Sequence, residues 1–300
     1  MNKRKVLISG ASGLIGTAVE SSLAADCWEI SRLVRGKATR TSDVPWNPTE
    51  SIAPEKLSGF DAVLHLAGEG VFGVWTREKK QRIYESRIIG TRNLAEALAR
   101  TELKPRVFIS ASAIGYYGNR GDEVLREESP AGSGFLAEVC REWEAATALA
   151  LDPVIRIVNI RTGHVLSSAG GMLKKMLPPF RLGLGGRIGD GRQWQSWIHI
   201  GDLVGALRHV IEHNSLRGPV NMVGPNPVTN EEFTRVLASV LSHPAFFAVP
   251  GLALKVALGR EAAIEMLLSG QRVEPVKLKA SGYHFQFPDL QAALRDLLRR

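Results

Sequence analysis

An α/β fold, in which a doubly wound parallel sheet carries a smaller C-terminal lobe, is the architecture these 300 residues predict. Three observations carry it. A short apolar run at the start breaks into a glycine-rich loop, apolar runs of strand length alternate with stretches of helical spacing up to residue 160, and the texture changes after Arg161.

Residues 6–9 form an apolar run closed by glycine, which reads as a buried strand, and residues 14–25 follow with helical spacing. Residues 29–34 give a second strand, 61–66 a third and 77–99 a long amphipathic helix. A strand at 106–110, a helix at 134–149 and a strand at 154–160 continue the alternation, which predicts parallel pairing through crossover helices. Residues 162–195 are rich in Gly and Pro, yet Met172, Leu173, Met176, Leu177 and Phe180 keep roughly helical spacing. Residues 196–200 return as a short strand, and 202–212 as a helix with Asp202 as its expected cap. A helix at 231–241, capped by Thr229 or Asn230, precedes a last helix at 289–298. The chain is expected to divide into an N-terminal α/β domain (1–161), a loop-rich insertion toward a cleft (162–195), a return to the main sheet (196–223) and a small C-terminal lobe (224–300).

With 44% hydrophobic and 23% charged residues the composition is that of a globular protein. The formal net charge of +8 is spread among nearby acids, as in Arg77-Glu78-Lys79-Lys80, so no nucleic-acid partner is expected. No stretch approaches the roughly 18 apolar residues of a membrane span, and the run after Met1-Asn2-Lys3-Arg4-Lys5 is too short for a secretion signal. A cytoplasmic address without membrane contact is the expectation. Cys27 and Cys140 cannot build a disulfide framework and match no metal-ligand spacing, so both read as packed, reduced thiols and no metal is expected.

Gly10-Ala11-Ser12-Gly13-Leu14-Ile15-Gly16 is a G-x-x-G-x-x-G loop between strand and helix. The first glycine permits the tight turn, the second lets backbone approach a pyrophosphate, and the third allows close helix–strand packing. The amides that open the helix then face the anion. Folds that prefer NAD place a carboxylate about 20 residues beyond such a loop, on the ribose hydroxyls. Arg35 stands there, with Arg32 and Lys37 nearby. A guanidinium grips a 2′-phosphate that a carboxylate would repel, so the cofactor expected is NADP(H). The alternative is that Arg35 is a surface charge.

Residues 108–118, Phe-Ile-Ser-Ala-Ser-Ala-Ile-Gly-Tyr-Tyr-Gly, together with the glycine loop and His65-Leu66-Ala67-Gly68, resemble the extended short-chain dehydrogenase/reductase superfamily. Arg161-Thr162-Gly163, the run from Met176 to Gly186, Trp197-Ile198-His199-Ile200-x-Asp202 and Gly282-Tyr283-x-Phe285 resemble a narrower, atypical 39U-type branch of epimerase-family proteins. The resemblance implies that Ser112 polarises a substrate carbonyl or hydroxyl. It also implies that Leu66, Ala67 and Gly68 let backbone approach the cofactor, with Glu69 looking into the cleft or solvated.

The sequence departs from that pattern at one place. The superfamily's proton donor is a Tyr ahead of a Lys on the helix after the serine strand, and residues 135–144 contain neither. Tyr116 and Tyr117, a few residues past Ser112, are the candidate replacements, since a cationic neighbour can lower a phenol's pKa. The other reading makes them packing and surface aromatics. His199 reads as a hydrogen-bonded structural residue or an acid/base, and His65 as a core residue. Arg161, Lys174, Lys175, Arg181 and Arg192 could gather anionic substrate groups or stay solvated; Trp75, Trp194 and Trp197 could line a flat pocket or pack the core.

The expected function is an NADPH-dependent oxidoreductase or epimerase acting on a small molecule, with an altered proton donor. The alternative is a non-catalytic NADPH-binding sensor or interaction protein. Helices 77–99 and 134–149 are candidate faces for a homodimer.

Overall fold

The computed structural model describes residues 3–26 and 28–298, so Cys27 lies outside the described residues. The glycine loop joins β1 (Lys5–Ser9) to α1 (Leu14–Ala25). Then come β2 (Glu29–Val34), β3 (Val44–Pro45), β4 (Ala62–His65), α2 (Arg77–Arg100) and β5 (Val107–Ala113). The short β6 (Val124–Leu125) precedes α3 (Phe135–Thr147) and β7 (Arg156–Thr162). Beyond β7 lie β8 (His164–Leu166), α4 (Gly171–Arg181), β9 (Gly186–Ile188), β10 (Trp194–Gln195), β11 (Trp197–His199), α5 (Ile200–Glu212), β12 (Gly218–Met222) and α6 (Asn230–Leu241).

Seven parallel strands form one sheet in the order β12-β7-β5-β4-β1-β2-β3. The order runs one way from β1 through β2 and the other way through β4, so the crevice at the carboxyl ends lies at β1. Alternate side chains serve opposite faces. Val6 and Ile8 join the core under α1 and α5, while Leu7, Val63 and Phe108 join the core under α2. Both edge strands carry a proline, Pro45 in β3 and Pro219 in β12. Proline lacks the amide a further strand would need, so it blunts each edge.

The segment between residues 196 and 223 differs in detail from the sequence pattern. The Trp197–His199 strand pairs with β8 in a separate two-stranded ribbon, and the main sheet is completed by Gly218–Met222. With Gly and Pro at its head, β12 carries a weak strand signal. Pro178 and Pro179 lie inside α4 and do not end it. They fall on its exposed side, where the carbonyls they leave unpaired can meet water, while Leu173, Leu177 and Phe180 face inward. These three share one hydrophobic core with Phe233 and Leu237 of α6 and with Ala293 and Leu294 of the last helix. Residues 162–195 and the C-terminal region therefore pack as one lobe.

Asp202 does not cap α5. His199 does, its Nδ1 accepting from the Gly201 amide at 3.0 Å. The Asp202 carboxylate lies one turn in and accepts from the Gln286 and Phe287 amides at 2.7 and 2.9 Å, which ties the C-terminal segment to the start of α5. Among the described residues no helix is long and apolar enough to cross a membrane.

Two buried polar groups hold the sheet to its surroundings. Arg156 at the start of β7 donates to the carbonyls of Val210, Ile211 and Leu216 at 2.9 to 3.0 Å, gathering the end of α5 onto the sheet. His65 at the end of β4 shares a 2.6 Å hydrogen bond with Ser9 of β1. Because the Ser9 hydroxyl also accepts from the Leu66 and Ala67 amides, it donates to Nδ1 and leaves the proton on Nε2, against Trp46. Burial lowers the His65 imidazole to about 4.

Arg156→Met strips three buried carbonyls of their donor and is expected to lower stability by about 2 to 4 kcal/mol in urea unfolding; an unchanged midpoint would refute the assignment. The depressed His65 value means that its neutral form contributes fully above about pH 6.5 and that this contribution is lost as pH falls toward 4. Wild type should lose up to about 3 kcal/mol more than His65→Gln across that window, and parallel pH profiles of the two would contradict this.

Candidate functional site

The loop at β1 is built on contacts only glycine allows. Gly10 sits at φ +69°, and a Cβ there would lie 2.7 Å from the Leu66 carbonyl carbon. The Gly13 amide donates to the Gly10 carbonyl at 3.0 Å, and any Cβ on Gly16 would press into that same carbonyl. Gly13 opens α1 without a side-chain cap, and the first turn contains no acidic residue, so the amides and the positive end of the helix dipole are left for an external anion.

A cleft of about 350 Å³ opens beside this turn, bounded by Gly10, Gly13, Leu14, Ile15, Gly16 and Leu66. The structure thus brings together six of the residues the sequence proposed for the cofactor. Ser12 is exposed at the loop tip, and Ala67 and Gly68 continue past β4. The opposite wall was not anticipated: Gly163, His164 and Val165 after β7, with Gly171 and Met172 at the start of α4. The adjacent glycines at 170 and 171 were its one sequence signal, because they let α4 start against Leu14.

On the β2 side, Arg35 is exposed just past the strand and makes no ion pair among the described residues. Arg32 is committed elsewhere. It forms a bidentate pair with Asp43 at 2.8 and 2.9 Å, which holds that carboxyl below the ordinary range and fixes the 39–43 turn. Glu69 is tied to α2 by Lys79 at 2.8 Å, with Arg82 at 3.8 Å; the hydrogen bond from Lys79 is the main reason its pKa is lowered.

On the β5 side, Ser112 lies at the centre of a buried network. Its hydroxyl donates to Glu144 Oε1 of α3 at 2.7 Å. Arg161 of β7 grips the same carboxylate with Nε at 2.8 Å and Nη2 at 2.9 Å. Its Nη1 donates to the Tyr117 hydroxyl at 2.9 Å and the Glu127 carbonyl at 3.1 Å. Tyr117 in turn donates to Asn221 Oδ1 of β12 at 2.7 Å. Burial favours a neutral guanidinium, but the hydrogen bonds and charge of Glu144 outweigh it and hold Arg161 above the ordinary range.

This geometry corrects two expectations. Tyr117 does not face the cleft with an activated phenol: its side chain is fully buried, and burial pushes it up to about 12 despite the neighbouring Arg161. Arg161 is likewise buried and neutralised, so it is not a surface cation gathering substrate. Tyr116 remains half-buried with its ring stacked on the Arg161 guanidinium at 3.5 Å. Trp197 packs in the core, Trp75 packs on Phe135, and Trp194 stacks with Arg272. Lys174, Lys175, Arg181 and Arg192 are exposed. Cys140 is a buried thiol whose pKa is pushed up to about 11 by burial.

Comparison with known proteins agrees with this architecture. Residues 6–241 match the NAD dependent epimerase/dehydratase family, and residues 249–297 match a domain of unknown function (DUF1731). An epimerase family protein of Mycobacterium bovis is 42% identical over 291 residues, covering 96% of each chain. The human epimerase family protein SDR39U1 is 36% identical over 298 residues, covering 98% of this chain and 99% of that one. A crystal structure of the human protein with NADPH superposes with a TM-score of 0.91 at 34% identity, covering 99% of both chains. A nucleoside-diphosphate sugar epimerase from Corynebacterium glutamicum gives a TM-score of 0.82 at 38% identity, covering 99% of this chain and 58% of that one. With the glycine loop, the serine strand and the sheet order all in place over nearly its whole length, this chain belongs to the NAD dependent epimerase/dehydratase family, among its SDR39U1-type epimerase family proteins.

Proposed function

We propose that this protein binds NADPH along the carboxyl edge of its sheet and acts as an oxidoreductase or epimerase on a small molecule with anionic groups. The observation that carries this reading is the uncapped start of α1 folded against Leu66, with Arg35 exposed and unpaired at the end of β2. The amides of the glycine loop would hold the pyrophosphate, and the Arg35 guanidinium would hold the 2′-phosphate. The NADPH bound to the human relative supports the same assignment. When bound, the nicotinamide supplies a hydride donor or acceptor.

Ser112 would orient a substrate hydroxyl by accepting from it, because its own proton is given to Glu144. Tyr116 is the phenol left to move a proton. In this reading residues 1–161 serve the cofactor, while the lobe built from residues 162–195 and 224–300 receives the substrate. The exposed Lys174, Lys175, Arg181 and Arg192 supply its positive charge.

A second reading, a protein that binds NADPH without turning it over, is favoured by one observation. Ser112, Glu144, Arg161 and Tyr117 satisfy one another, and α3 offers neither Tyr nor Lys.

Titration calorimetry is expected to show NADPH binding more tightly than NADH, and Arg35→Asp should weaken NADPH by about tenfold to a hundredfold with little effect on NADH. Equal affinity for the two dinucleotides in wild type would remove Arg35 from the site. Loss of reduced-nicotinamide absorbance on adding carbonyl compounds, abolished in Tyr116→Phe with NADPH affinity unchanged, is the outcome expected of an enzyme. Constant absorbance across a broad panel would establish the binder.

A further inference from the structure

Arg87, on the inner side of α2, is left unexplained by the site described above. Its Nη1 donates to the Ile83 carbonyl at 3.2 Å, and its guanidinium lies over the Trp143 ring of α3 at 5.0 Å. Among the described residues no carboxylate forms an ion pair with it, although most of its stem is covered. Among the described residues Nε and Nη2 have no hydrogen-bond partner, and they are not sealed from solvent. Donors open to solvent can be taken up by a ligand in place of water.

The guanidinium lies beside Gly68, two residues beyond Leu66 of the cleft wall. A Cβ built on Gly68, just past the end of β4, would lie 3.2 Å from the Arg87 guanidinium carbon and 3.3 Å from Nη2. At those distances a side chain at 68 would require the guanidinium to give by a few tenths of an ångström. The same guanidinium acts electrostatically on the Cys140 thiol of α3, the helix that lacks the lysine expected from the superfamily pattern. A cation thus reaches that face of α3 from the neighbouring helix.

The sheet order indicates which part of a dinucleotide would meet it. With the pyrophosphate at the start of α1 and the adenosine over β2, the other half extends over β4 and β5. The first oxygen-bearing group there is the ribose of the nicotinamide, whose two hydroxyls can accept from a group that only donates.

We infer that Arg87 is a cofactor-binding residue whose guanidinium, beside Gly68, hydrogen-bonds the hydroxyls of the nicotinamide ribose. The inference rests on the NADPH reading and adds a specific residue to it.

Calorimetry on Arg87→Met and Arg87→Lys with two ligands, NADPH and 2′,5′-ADP, tests it. The second ligand carries the adenosine half and the 2′-phosphate but no nicotinamide ribose. Arg87→Met, which keeps the stem over Trp143, should weaken NADPH by about tenfold or more while 2′,5′-ADP stays within about twofold of wild type. Arg87→Lys should recover most of the loss, because a donor returns. NADPH binding unchanged in Arg87→Met overturns the inference, as does an equal loss of both ligands, which would make Arg87 structural. Wild type that binds 2′,5′-ADP as tightly as NADPH also overturns it while leaving the cofactor site standing. Failure of wild type to bind either ligand would remove the cofactor reading itself.

Discussion

Arg161 sits almost fully buried at the end of the sheet, and the surrounding structure is arranged to satisfy its charge. Three segments converge on it: the Glu144 carboxylate from α3, the Tyr117 hydroxyl and Glu127 carbonyl from the loop after β5, and, through Tyr117, Asn221 of β12. Removing one partner from such a pair leaves an uncompensated buried charge, typically at a cost of about 3 to 5 kcal/mol. The network therefore sets how β5, β7, β12 and α3 meet, and it fixes the rotamer of Ser112. That serine belongs to the structural scaffold as much as to any reaction.

This arrangement has a chemical consequence. In a reductase with a free acid on α3, the serine and the proton donor act on the substrate side by side. Here Glu144 of α3 is held in an ion pair with Arg161, Cys140 is a buried thiol, and α3 carries neither the Tyr nor the Lys of that pattern. The start of α1 keeps its uncapped amides open beside the cleft, while the Tyr116 ring is stacked on Arg161.

The insertion after β7 also has a role in the cofactor cleft. By placing Gly171 and Met172 opposite the glycine loop, it closes the cleft from the far side, and its apolar face shares a core with α6 and the last helix. The two walls of the cleft, the glycine loop and the start of α4, are thus backed by different cores.

The local sequence determined whatever depends on neighbours along the chain. The glycine loop requires a tight turn and a helix start within seven residues, so Gly10 to Gly16 were legible, as were α1 and β2 to the residue and the body of α2 and α6. The place of Arg35, exposed just past β2, was legible because it is counted from that loop. Tertiary structure decided the rest, because burial and pairing depend on residues far apart. Tyr116 and Tyr117 are adjacent in sequence, yet one stacks at the cleft edge and the other is sealed beside Arg161, forty-four positions away. Asp202 looked like a cap, but the amides of Gln286 and Phe287 claimed its carboxylate. Arg87 gave no signal at all, since nothing near it on α2 shows that its guanidinium lies beside Gly68, past the end of β4.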